Sequence, residues 1–225
     1  MNHHRRKWLM NLATMGGLSA VAPFLIRDVL AMGNRVYPQG MRKVQGVVKV
    51  NEQQAQQDTL VKAGDRVTTG DNSLAIFVLG RDAYMLRSNS MLEIAGDGGI
   101  VSSLNLLAGK MLSVFGKGEK KIMVPTATVG IRGTAVYAEV EPQRCYICTC
   151  YGKVEISTTK DPSIKESITT YKHDSPRYIY ASGETMIAKA PVINHTDDEL
   201  FMLEALVGRT PAFYVPGEYQ GGNPY

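Results

Sequence analysis

Several things are scarce in this 225-residue chain. It has one tryptophan (Trp8), four histidines and three cysteines. Two of the histidines, His3 and His4, lie in the first turn-length of chain. His173 and His195 are therefore the imidazoles available to the body of the protein. There is no Gly-x-Ser-x-Gly, no phosphate-binding loop and no His-Glu-x-x-His, and Asp and Glu are scattered without an obvious acid–base couple. A Ser–His–Asp triad would have to recruit His173 or His195, so a non-enzymatic role is expected. No stretch after the N-terminal region approaches the ~20 apolar residues of a membrane span. No basic cluster is present either. Lys117, Lys120 and Lys121 are interrupted by Glu119 and flanked by glycines, which reads as a solvated hairpin loop, and nucleic acid is not an expected partner.

The first thirty residues stand apart. Arg5-Arg6-Lys7-Trp8 opens onto a moderately apolar stretch from Leu9 to Ile26, and Val29-Leu30-Ala31 offers small residues before a cut after Ala31. Residues 1–31 thus resemble a twin-arginine export signal, with an ordinary signal peptide or an uncleaved anchor as alternatives. Removing Arg5, Arg6, Lys7, Arg27 and Asp28 with that segment takes the net charge from +4 to +1. An exported protein of the periplasm or cell envelope is expected, with no transmembrane span after cleavage.

Short apolar runs follow from Val44, broken by glycines and polar turns. Val44 to Val50 alternates. Ser73–Leu79 and Ala83–Leu86 flank Gly80-Arg81-Asp82, and Met91–Ile94, Leu104–Leu107 and Met111–Phe115 continue at the spacing of stacked hairpins. The expected fold is all-β, a sandwich or roll of short hairpins, with a β-solenoid-like roll as the alternative. Residues 158–225 form a C-terminal extension. In it, Thr196-x-x-Glu199 is a capping box opening a helix over 197–207 with Gly208 as its stop. A tail rich in aromatics, proline and glycine comes after.

Val124 to Tyr137 reads as one extended segment rich in β-branched residues, with Gly130 and Gly133 marking a bulge or a close backbone approach. Arg132 between them is a candidate for bonding nearby carbonyls. Its wording, Pro125-Thr126-Ala127-Thr128-Val129-Gly130-Ile131-Arg132-Gly133-Thr134, resembles the hallmark of the FecR-like domain, and Leu60-x-x-x-Gly64-Asp65-x-Val67-x-Thr69-Gly70 extends the likeness. The resemblance spans residues 43–157 and implies an extracytoplasmic β-module that acts as a binding or scaffold unit for a protein or envelope component. The best-known relatives are membrane-spanning regulators of sigma factors. Only a short basic segment precedes the apolar stretch here, so a membrane-anchored regulator is expected only if that stretch is uncleaved.

All three cysteines fall in Cys145-Tyr146-Ile147-Cys148-Thr149-Cys150, where the family has a plain strand. In a strand, Cys148 and Cys150 share one face and Cys145 takes the other. Three readings stay open: a Cys145–Cys148 disulfide with Cys150 free, buried unpaired thiols, or a metal or redox site. In the third, Cys148, Cys150, His173 and His195 complete a Cys2His2 set for zinc, copper or iron, with Cys145 as spare ligand or redox partner. Asp174 would orient a ligating imidazole if the fold brought it around.

Overall fold

The computed structural model describes residues 39–97 and 100–215, so the export-signal reading and the end of the tail lie outside the described residues. In chain order the strands are β1 Gly40–Gln45, β2 Val48–Val50, β3 Gln53–Gln54, β4 Arg66–Thr69, β5 Leu74–Leu79, β6 Asp82–Leu86, β7 Met91–Asp97 and β8 Ile100–Val114. They continue as β9 Glu119–Val124, β10 Ala127–Arg132, β11 Ala135–Val140, β12 Arg144–Thr158, β13 Lys165–Thr170, β14 Arg177–Tyr180 and β15 Ile187–Lys189. Among the described residues one helix, α1, spans Asp197–Leu206. The strands form two layers. Sheet A runs β1-β5-β6-β8-β11-β12-β14-β15, and sheet B runs β3-β2-β4-β7-β8-β9-β10-β12-β13. The all-β expectation holds, and the arrangement is a sandwich.

Two strands belong to both sheets. The first part of β8 pairs with β7 in sheet B, and the part from Gly109 pairs with β11 in sheet A. Likewise β12 pairs with β11 up to Tyr151 and with β13 from Gly152. Each passes between layers at a glycine in a left-handed conformation, φ +79° at Gly109 and +96° at Gly152. A Cβ on Gly152 would sit 2.8 Å from Thr134 Cβ, and one on Gly109 would sit 2.5 Å from Ser90 Cα. At these corners a side chain has neither a comfortable φ nor room.

The Pro125–Thr134 stretch builds a third corner. It is not one continuous extended segment. Pro125-Thr126 is the turn of the β9–β10 hairpin, and Gly133 (φ +62°) turns the chain from sheet B into sheet A. There the buried Thr134 hydroxyl donates to the Tyr151 carbonyl, joining this corner to the one at Gly152. Gly130 marks no bulge, because its register with both neighbouring strands is unbroken. Arg132 bonds no carbonyl across the contact. It points outward and pairs with Glu119 at 2.6 Å, both side chains about three-quarters exposed. Solvent competes with such a pair, so Arg132→Ala is expected to shift the thermal midpoint by no more than about 2 °C.

The lysine cluster also differs from its reading as a hairpin loop. β9 follows β8 but pairs with it in parallel, Ser103 opposite Lys121. Lys120 is drawn in rather than solvated, with its Nζ 3.5 Å from the buried Asp82 carboxylate. Asp82 also accepts from the Gly116 N–H at 2.8 Å, which fixes the β8–β9 connection.

Two apolar clusters result. One fills the space between the sheets, including Phe77, Leu86, Leu104, Val129, Ile156 and Cys145. The other lies on the outer face of sheet A, where Met85, Leu112, Tyr137, Tyr146, Cys148 and Cys150 pack under Leu200, Phe201, Leu203 and Leu206 of α1. A ten-residue helix is marginal alone, so α1 depends on this burial. Its ends carry the expected signals. Thr196 caps with the reciprocal Glu199 bond, and Gly208 (φ +76°) and Arg209 donate to the Ala205 and Glu204 carbonyls in a Schellman ending. The strands after Ser157 join the same sheets, β13 in B and β14 and β15 in A.

Candidate metal centre

The residues that sequence spacing selected as ligands meet between sheet A and the N-terminus of α1. Cys148 and Cys150 lie on the outer face of β12, while Cys145 faces the inter-sheet core. The strand stands between Cys145 and the others, so a Cys145–Cys148 disulfide does not form and all three thiols are free. Cys145 is not a spare ligand either. Cys150 occupies a β-bulge, because Ala135 faces Tyr151 while Val136 faces Thr149, leaving Cys150 as the extra residue. Bulges re-aim a side chain, and this one turns the Cys150 thiol relative to Cys148.

His173 is brought in by backbone tethers. The Thr170 hydroxyl donates to the Thr149 carbonyl at 2.9 Å, and the His173 N–H donates to the Cys150 carbonyl at 3.0 Å. His173 takes φ +46°, which folds its ring back over β12. It is buried at 3% exposure and is no solvated turn residue. His195 arrives at the position before the N-cap of α1, as its place ahead of the capping box implied. Its ring stacks on Tyr137, centroids 4.4 Å apart.

The four candidate ligand atoms all lie within 4.8 Å of one another. Cys148 Sγ is 3.6 Å from His173 Nδ1, and His195 Nε2 is 3.0 Å from the same nitrogen. The edges of a tetrahedron around a zinc ion with ordinary Zn–N and Zn–S bonds are about 3.3–3.8 Å, so shifts of about 1 Å or less would close these four atoms around one ion. The outer nitrogens fix the tautomers. His195 Nδ1 lies 2.6 Å from the Ile193 carbonyl, which can only accept, so Nδ1 carries a proton and in the neutral ring the lone pair is on Nε2. His173 Nε2 lies 3.1 Å from Asp197 Oδ1, so it donates outward and Nδ1 faces the sulfurs. Two nitrogens meant for lone pairs therefore point at each other and at two thiols. A proton shared between them satisfies one pair, whereas a metal ion satisfies all four groups at once.

Electrostatics at the centre favour charge on the Cys148 sulfur and on the His173 imidazole. Hydrogen bonding from Cys150, with help from His173 and His195, pulls the Cys148 thiol well down against the cost of burial. Burial and the Cys148 sulfur push the Cys150 thiol up. Burial works against a charge on His173, but Asp197 and Cys148 outweigh it and lift the imidazole to about 9. Asp197 is itself buried, which opposes its ionisation. Its bonds to His173 and to Lys172 Nζ at 2.7 Å nonetheless hold it below the usual carboxylate range. Asp174 does not orient the imidazole; its carboxylate instead accepts from the Tyr171 N–H at 3.4 Å.

An all-β sandwich with glycine corners and an enclosed thiol–imidazole cluster defines an all-β module with a candidate metal centre. Residues 65–163, a little under half of the chain, match the family described as FecR protein, and this stretch is a FecR-like domain. The match covers the Pro125–Thr134 corner together with Cys145, Cys148 and Cys150, while His173, His195 and α1 lie beyond it. No curated protein matches the chain. Two crystal structures of a “putative anti-sigma factor” from Parabacteroides distasonis ATCC 8503 align at 10% identity and a TM-score of 0.47. Each alignment covers 55% of this chain and 59% of the solved one, so the likeness extends over about three fifths of their length.

Proposed function

We propose that this is an exported FecR-type module of the periplasm or cell envelope that carries one tightly held metal ion, zinc first among the candidates. One observation carries the reading: four buried ligand atoms of two cysteines and two histidines converge within 4.8 Å, with both imidazoles turned inward by their outer partners. Thiolate and imidazole suit zinc, and a four-protein-ligand site without an open position is structural rather than hydrolytic. An ion here would tie three segments together: β12, the 171–176 connection and the entry to α1. The N-terminal resemblance to a twin-arginine signal supports export of a chain already folded around its ion. The β-domain would then present its surfaces to a protein or envelope partner.

The test is elemental analysis of protein purified from its export compartment, followed by cobalt substitution. About one zinc per chain and a tetrahedral thiolate-type cobalt spectrum support the reading; metal-free protein that takes up neither ion overturns it. The ligands bind as thiolates and neutral imidazoles, so protons compete with the metal. Zinc is expected to stay bound at pH 7.5 and to be released below roughly pH 5, measured with a chromogenic chelator. Retention of the full complement at pH 4 would argue against this ligand set.

A further inference from the structure

Asp197 is the first residue of α1, and acid at that position is usually read as helix electrostatics. Its geometry here is more specific. The side chain is 3% exposed, one oxygen takes the His173 Nε2–H at 3.1 Å, and the other takes Lys172 Nζ at 2.7 Å. The carboxylate thus touches the back of one imidazole while staying outside the cage.

Resting on the metal-site reading above, we infer that Asp197 is the positioning residue of the centre: it holds His173 in the Nε2–H tautomer with Nδ1 aimed at the ion and raises the donor strength of that nitrogen. His195 has only a neutral carbonyl, Ile193, behind it, so the two imidazoles are unequal ligands. Charge supports the assignment. A divalent ion would cancel two thiolates, and the half-exposed Lys172 ammonium offsets the buried Asp197 carboxylate. Carboxylates placed behind a ligating imidazole commonly set metal affinity by 10–100-fold.

Asp197→Asn keeps the shape and an acceptor oxygen but removes the charge. It is expected to weaken zinc binding about 10–100-fold in competition with a chelator, while the cobalt spectrum stays tetrahedral. Thr196→Ala, which removes the helix cap next door, serves as the control and should leave zinc affinity within about threefold. The thermal midpoints separate the two roles. A positioning residue lowers the midpoint mainly in zinc-loaded protein, whereas a helix-end residue lowers loaded and chelated protein alike. Equal losses of affinity in both variants, or an Asn variant that binds zinc like the wild type, overturn the inference and leave the metal site standing. A wild-type chain that binds no zinc overturns both.

Discussion

Replacing Cys148 and Cys150 together by serine is expected to take the protein from about one zinc per chain to almost none, with the β-sandwich still folded. The two thiols sit on the outer face of sheet A, while the inter-sheet core of Phe77, Leu86, Leu104, Val129 and Ile156 does not depend on them. The stability change follows from linkage. At free zinc about 1,000-fold above the dissociation constant, the ion contributes roughly 4 kcal/mol, and for a chain of this size each kcal/mol moves the midpoint by about 2–4 °C. The serine variant should therefore melt some 8–16 °C below zinc-loaded wild type and show no response to added zinc. Unchanged metal content, or equal melting of both proteins with and without chelator, would remove the centre from the functional account.

The second large effect belongs to Gly152→Ala at the corner of β12. The new methyl group would meet Thr134 at 2.8 Å while the backbone stays at φ +96°. A left-handed conformation costs an L-residue about 1–2 kcal/mol and overpacking about 1–3 kcal/mol, so a loss of about 2–5 kcal/mol in urea unfolding is expected. Gly64→Ala separates the two costs. Gly64 has nearly the same φ, +95°, but a Cβ there meets nothing within 4 Å. Its variant should lose only the conformational part, about 1–2 kcal/mol. Equal losses at the two positions would show that contact with Thr134 contributes little.

Much of this was legible from residue spacing, and the exceptions share a physical cause. The alternation in Cys145–Cys150 gave the right faces because period two belongs to any strand. The capping box placed α1 to within a residue and put His195 at its entry, because orphan N–H groups must be satisfied locally. What depended on long-range pairing was not legible. The burial of His173 comes from its N–H bond to the Cys150 carbonyl and from the Thr170 hydroxyl's bond to the Thr149 carbonyl, each reaching more than twenty residues back along the chain. The partner of its imidazole is Asp197 and not the neighbouring Asp174, since only the packing of α1 on sheet A decides which carboxylate reaches the ring. Lys120 looked solvated because its partner, Asp82, lies 38 positions away. The parallel pairing of β8 with β9 hid behind a short glycine-rich connection that suits a hairpin equally well.

Because β8 and β12 each run through both layers, neither sheet can be completed while the other is absent. Sheet A lacks two interior strands until the ends of β8 and β12 that it uses are fixed, and the remaining ends of those strands are then committed to sheet B. A half-built sandwich is thus denied to the chain as a resting place on its folding route. Assembly must wait for distant segments to find one another, which slows it, and loss of structure should take both layers in a single cooperative step.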